Sequence, residues 1–326
     1  MSAAATPVPA AETIGVDLGG TKMAVGVLAG TEVLHNRRRP SRGLGEGELV
    51  EALVEELRAA REARPGAVAI GLGIPATLDQ EKGIAVSAVN LTMNELPIRD
   101  LVEERVGLPT FVDNDANVAA LAENLYGAGR GCKQMVMLTI GTGIGGGLVL
   151  NGELYRGATG AGAELGHTVI EVDGPRCQGN CPGRGCVEAL ASGTALGREA
   201  RAAAEESPDS ALARMLAEGR EIDGRAATEA AQAGDPTAIA VFETIGGRLG
   251  AALTTFANVF EPQAIVVGGG VMAAGDLLLE PAREVLRKRA LPPMNRTPVL
   301  AAELGPDAGL IGAAALARTE LERRGG

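Results

Sequence analysis

The chain has 326 residues, of which 46% are hydrophobic but only 2% aromatic, and it carries a net charge of −11. A chain of this length is expected to divide into two domains, with cores of Val, Ile, Leu and Ala in place of rings. An acidic balance without aromatic platforms speaks against nucleic acid, whose binders present basic stripes and stacking surfaces; small soluble substrates are expected.

Met1 to Glu12 is rich in Ala and Pro without a basic start or a long apolar run, so it reads as a loose N-terminal tail and not as a signal peptide. No window is apolar enough to cross a membrane, which leads to the expectation of a cytoplasmic protein. Ile14 to Leu18 is an apolar strand running into Gly19-Gly20-Thr21-Lys22, and Met23 to Leu28 resumes a strand pattern. In such a turn glycine removes the Cβ barrier, so backbone amides can face phosphate oxygens, with Asp17 and Lys22 alongside. Glu48 to Arg64 keeps helical period and stops at Pro65-Gly66, and Ala67 to Ile74 is the next buried strand. Ile84 to Pro97 reads as polar loop, carrying Asn90 and Asn94.

Thr110 to Val112 is a strand, followed at once by Asp113-Asn114-Asp115-Ala116-Asn117 and a helical run. Polar side chains at a strand's carboxyl end lie where open α/β sheets bind ligands. The plain alternative for Asp113 or Asp115 is a helix N-cap. Met135 to Ile140 then ends in the glycine run Gly141-Thr142-Gly143-Ile144-Gly145-Gly146-Gly147, with Leu148 to Leu150 returning as its partner strand. This second strand, glycine turn and strand reads as a duplication of the first in a second domain, the two turns gripping a polyphosphate from both sides. Gly268-Gly269-Gly270 closes a third strand, Ala264 to Val267, and suits a nucleoside lying against backbone. Asp235-Pro236 opens a long core helix, Asp276 to Arg289 is helical, and a last helix begins near Asp307.

His167, Cys177, Cys181 and Cys186 fall within one Gly- and Pro-rich stretch. One imidazole and three thiolates fill a zinc tetrahedron and leave no open position, so the site reads as structural, not hydrolytic. Buried thiols are the plain alternative. A disulfide would leave one thiol over and requires an oxidising compartment. Cys132 reads as a lone thiol, and His35 as solvated surface.

With Asp17-Leu18-Gly19-Gly20-Thr21-Lys22, Asn114-Asp115-Ala116-Asn117, the glycine-spaced run from Ile140 to His167 and the cysteine cluster all in order, the chain resembles the ROK family of sugar kinases and repressors from about residue 13 to 320. The resemblance implies a two-domain actin-like α/β fold, built on a duplicated ribonuclease-H-like unit with an interdomain cleft. It divides the chain into a loose tail over 1–12, a smaller N-terminal domain over 13–117 plus 308–326, and a larger C-terminal domain over 118–307 with the zinc motif.

The resemblance also implies an activity: transfer of the γ-phosphate of ATP to the 6-hydroxyl of a hexose, D-glucose first. Mannose, fructose, an N-acetylhexosamine, or polyphosphate as donor, are the alternatives. Asp115 matches the general base. Asn114, Glu164, His167 and Glu188 match sugar contacts, and Asn90 or Asn94 adds one. Asp17 faces Mg²⁺ or phosphate, Gly19, Gly20, Thr21, Lys22, Thr142 and Gly143 lie near the triphosphate, and Gly268, Gly269 and Gly270 near adenosine. The family further implies a homo-oligomer, dimer or tetramer. The sugar-sensing repressors of the family carry a DNA-binding head; only a dozen weak residues precede the first strand here, which favours the enzyme. The chain departs from the family in its cysteine cluster: Gly179 stands where a first Cys is usual, Pro182 replaces a glycine, and Cys177 lies two residues earlier, which leaves a longer first loop between Cys177 and Cys181.

Overall fold

The strands β1 (Thr13–Leu18), β2 (Lys22–Ala29) and β3 (Glu32–Pro40) make an antiparallel meander. They open the computed structural model of the chain, which describes residues 11–88 and 91–325. Helix α1 (Glu46–Ala63) follows; the amide of Gly45 donates to Glu48 Oε2 at 2.9 Å, and Leu49, Val50, Leu53, Val54 and Leu57 are buried, as its period predicts. β4 (Ile70–Ile74) returns parallel to β1.

Residues 84–97, expected as polar loop, hold strands. β5 (Ala76–Asp79), β6 (Ile84–Ala88) and β7 (Asn94–Leu96) pair into a small sheet of their own. Its inward residues are few, with Ala85 opposite Leu96, so apolar alternation is too brief to register and backbone pairing makes the sheet. α2 (Ile98–Val106), β8 (Thr110–Asn114) and α3 (Asp115–Tyr126) complete the first run, and its main sheet has the order β3-β2-β1-β4-β8.

The pattern then repeats. β9 (Gln134–Ile140), β10 (Ile144–Leu150) and β11 (Glu153–Leu154) form a second meander, followed by α4 (Val187–Ala191), α5 (Gly193–Glu206), α6 (Ala211–Ala217), α7 (Gly224–Gln232) and α8 (Pro236–Phe260). β12 (Ala264–Gly268), α9 (Asp276–Arg289), β13 (Val299–Ala301) and α10 (Ala308–Gly325) end the chain. The second main sheet has the order β11-β10-β9-β12-β13, with β12 and β13 parallel to β9. Strand for strand this is the first sheet again: a meander whose first strand is central, then two parallel strands. The duplication expected from the glycine turns is therefore one of topology.

The chain divides into two compact units. One comprises the described residues of Met1–Ala122 with Arg156–Gly162 and Asp307–Gly326; the other comprises Glu123–Tyr155 and Ala163–Pro306. In the first unit α10 lies close over the sheet because Gly15 and Gly71, adjacent in register, present no side chain: a Cβ there would stand 2.3 Å from Leu310 O and 1.8 Å from Ala313 O. In the second unit α8 starts at Asp235, whose Oδ1 accepts the Ala238 amide at 2.8 Å, and packs on α9 through Gly246 and Gly250. A Cβ on Gly247, which lies between them in sequence, would meet no described atom within 4 Å. Each unit has its own aliphatic core. Among the described residues, no helix is long and apolar enough to cross a membrane.

Candidate functional site

In the first unit the turn after β1 is held from behind. Gly19 N donates to Lys22 O at 2.9 Å, closing the turn, while Ser41 Oγ donates to Gly19 O at 2.6 Å and Ser41 N to Thr21 O at 3.1 Å. With these carbonyls tied back, the amides of the turn beyond Gly19 can meet an incoming ligand. Thr21 and Lys22 are exposed at its edge. Asp17, at the end of β1, stands against the first turn of α10, where a Cβ on Gly309 would lie 2.8 Å from its Cγ. Burial raises its carboxyl above the ordinary range, against the pull of Lys22 and Arg38. Ser41, 2% exposed, was not singled out in the sequence, and no pattern there would have found it.

The polar cluster after β8 separates into distinct tasks. Asp113 is fully buried and satisfied: Arg156 Nε meets its Oδ2 at 2.6 Å, and the Asn114 amide and Asn117 Nδ2 donate to its Oδ1, each at 2.8 Å. Arg156 also reaches Glu320 at 3.0 Å. Asp113 is thus neither cap nor ligand group; it holds an ion-pair network that fixes the strand end. Asn114 Oδ1 and Asp115 Oδ1 both accept the Ala116 amide at 2.9 Å, so the cap of α3 is shared between them. Asp115 is half-buried at the carboxyl end of β8. Asn94 is exposed in β7, and its amide donates to Glu46 Oε2 at 3.1 Å. Asn90 lies outside the described residues.

In the second unit the turn after β9 repeats the arrangement. Gly141 N donates to Gly143 O at 2.9 Å, Gly193 N donates to Gly141 O at 2.8 Å, and Thr194 Oγ1 donates to Thr142 O at 2.8 Å. The start of α5 does here what Ser41 does in the first unit. Glu188, on α4, accepts the Ile144 amide at 2.8 Å through Oε2, and a Cβ on Gly143 would stand only 2.2 Å from that oxygen. Gly143 is glycine because a carboxylate occupies the side-chain position. Gly269, at φ 92°, lies so close to β9 that a Cβ would stand 2.4 Å from Ile140 O, whereas a Cβ on Gly270 would meet no described atom within 4 Å. The third glycine cluster therefore lies beside the second turn, and Gly270 offers bare backbone.

Glu164, His167 and Glu188 come together. Glu164 Oε2 is 3.9 Å from His167 Nε2, and the Glu164 carboxyl is raised by burial and by Glu188, against the pull of His167. More than half of that side chain, 55%, is open to solvent, where a substrate hydroxyl can reach it. The other ring nitrogen of His167, Nδ1, faces the thiols, 3.5 Å from Cys177 Sγ. The candidate ligand atoms of His167, Cys177, Cys181 and Cys186 all lie within 4.8 Å of one another. Cys177, displaced in sequence, is in the cluster because Gln178 O accepts the Cys181 amide at 3.3 Å and Gly183 O accepts the Cys177 amide at 3.0 Å, folding the longer loop back. The Gly183 amide donates to Cys181 Sγ at 3.4 Å. Burial and the neighbouring thiols push Cys177 far above the usual thiol range, and burial raises Cys186. Such crowded donors ionise together only around a cation.

Two copies of one sheet, each with a glycine turn beyond its central strand, define the actin-like, ribonuclease-H-like class of two-domain folds used by sugar kinases. The model of the ROK family matches residues 13–320, and the chain belongs to that family. A glucokinase of Halalkalibacterium halodurans is 39% identical over 308 residues, 92% of this chain and 92% of the relative. The crystal structure of a ROK family glucokinase from Streptomyces griseus in complex with glucose and AMPPNP superposes with a TM-score of 0.82 at 39% identity, over 94% of this chain and 99% of that one. The xylose repressor of Bacillus spizizenii is more distant, 27% identical over 307 residues that make up 92% of this chain and 75% of the repressor.

Proposed function

We propose that the chain is an ATP-dependent glucokinase, converting D-glucose and ATP to glucose 6-phosphate and ADP. The observation that carries the reading is the likeness to the Streptomyces griseus glucokinase bound to glucose and AMPPNP, which spans 94% of the chain. Asp115 takes the proton of the sugar 6-hydroxyl as that oxygen attacks the γ-phosphorus; the bond to the bridging oxygen breaks and ADP leaves. Asn114, Glu164, His167 and Glu188, with Asn90, hold the remaining hydroxyls, because a carboxylate accepts two hydroxyl hydrogens with charge-assisted strength.

The tied-back turns, Gly19 to Lys22 and Thr142 with Gly143, turn their amides to the phosphates, and Gly268, Gly269 and Gly270 pass under adenosine. Asp17 supplies a carboxylate suited to Mg²⁺, which when bound neutralises charge on the triphosphate. His167, Cys177, Cys181 and Cys186 fit zinc by donor type and spacing. His167, whose Nδ1 faces the thiols, would hold the metal from that side, and such a bond would fix the ring with Nε2, beside Glu164, free to meet a hydroxyl. A kinase that consumes ATP and uses its cysteines as thiols and metal ligands suits the cytoplasm. A homo-oligomer, dimer or tetramer, is expected, measurable by light scattering.

The test is a coupled assay crossing glucose, mannose, fructose and N-acetylhexosamines with ATP and polyphosphate. Glucose with ATP is expected to give the highest kcat/KM; absence of glucose-dependent ADP release overturns the reading.

A further inference from the structure

One residue of the cysteine-bearing loop faces away from the thiols. Gln178 Nε2 donates to Thr142 O at 3.3 Å and to Ser192 Oγ at 2.9 Å. Ser192 is fully buried and caps α5. The backbone oxygen of the same Gln178 closes the turn between Cys177 and Cys181 by accepting the Cys181 amide at 3.3 Å. Gln178 therefore belongs to two structures at once: its main chain shapes the ligand loop, and its side chain holds the carbonyl at the tip of the second glycine turn. The longer first loop is what gives it this reach, since Gln178 follows directly on the displaced Cys177.

We propose that Gln178 is a positioning residue through which the Cys/His knuckle sets the second glycine turn for nucleotide, beyond its part in the sugar pocket. The inference rests on the proposed nucleotide role of Thr142 and Gly143. The physical basis is simple. Turning the Thr142 carbonyl back into the protein turns the following amide of Gly143 outward, because the two share one peptide plane. Thr194 holds that carbonyl from α5, and Gln178 holds it from the knuckle. When the Cys177 to Cys181 turn is ordered around metal, Gln178 is fixed; when it opens, one of the two donors is lost and the amide's direction is less well defined.

The test uses the metal-loaded full chain and three variants, Gln178→Ala, Gln178→Glu and Gln178→Lys, with calorimetric binding of AMPPNP and of glucose. Loss of one neutral hydrogen bond predicts roughly a three- to tenfold weaker AMPPNP binding in Gln178→Ala, with glucose binding moved less than twofold and metal content unchanged. Gln178→Glu, which sets a carboxylate against the carbonyl, weakens it further, and Gln178→Lys, which restores a donor, recovers part of the loss. Chelator-stripped wild-type protein shows the same loss toward AMPPNP as loaded Gln178→Ala, and stripping Gln178→Ala adds little to it, since both act on one bond. Unchanged AMPPNP binding in Gln178→Ala overturns the inference. So does equal weakening of both ligands together with loss of metal, which marks general loosening of the loop. Hydrogen exchange separates this from the underlying reading: if AMPPNP fails to protect the amides of residues 141–143 in the wild type, the nucleotide role of the turn itself is wrong.

Discussion

Glu188 Oε2 sits 2.8 Å from the Ile144 amide and occupies the space a Cβ on Gly143 requires, 2.2 Å away. Its other oxygen, Oε1, is 3.6 Å from Cys177 Sγ. One carboxylate thus touches the glycine turn on one side and the thiol cluster on the other, and a proposed sugar contact is built into the support of a proposed phosphate turn.

Gly143→Ala is expected to displace Glu188 and the turn together. Misplacement of about 1 Å costs on the order of a hundredfold in kcat/KM, and both the ATP and the glucose constants rise. Steady-state kinetics with each substrate varied in turn check this; a rise confined to one substrate counts against the shared contact.

Asp115→Asn keeps an oxygen for the Ala116 amide, and so the start of α3, while removing the base. The variant is expected to lose about 10²- to 10⁴-fold in kcat with glucose binding kept within a few fold. Near-normal turnover would show that the proton leaves by another route.

Elemental analysis of the purified protein is expected to give close to one zinc per chain. Chelation should raise KM for glucose steeply at temperatures well below unfolding, since His167 loses the bond that fixes its ring. A metal-free protein with unchanged kinetics would remove the metal from the mechanism.

Glu199 on α5 gives a pH-dependent stability signal away from the site. It lies 3.0 Å from Arg248 on α8 and 3.1 Å from Arg198. Burial pushes its carboxyl up, but the two guanidinium groups overcome this and hold it below the ordinary range. A carboxyl depressed in the folded state stabilises above its unfolded pKa, and the contribution fades as pH falls through the folded value. Glu199→Gln should therefore lower Tm at pH 7 by about 1–3 °C, and the gap should narrow as pH falls below the ordinary carboxylate range, as calorimetry across that range would show. A gap that persists in acid would mean the loss is one of packing.

Several relationships are legible in the sequence alone. The two strand, glycine turn and strand units at Gly19 and Gly141, the helix starting at Asp235-Pro236, and the His167 to Cys186 donor set are local patterns, and the structure holds each in place. The small sheet over residues 76–96 escapes a sequence reading because strands this short leave no period to read. Asp113 was open to two readings, cap or ligand, until Arg156 from a distant segment was seen to claim it.

What the sequence by itself determined is the set of backbone states: where only glycine can turn, where apolar period demands a buried face, and which donors suit a metal. Those follow from sterics and chemistry within a few residues. What only the tertiary structure decided is which side chain meets which turn. Ser41 behind Gly19, Gln178 behind Thr142 and Glu188 in place of a Cβ on Gly143 join residues far apart in the chain. Serine, glutamine and glutamate can satisfy such partners almost anywhere, so their identity carries no address. Strand register and helix packing supply it, and in each unit they bring a side chain to the glycine turn beyond the central strand.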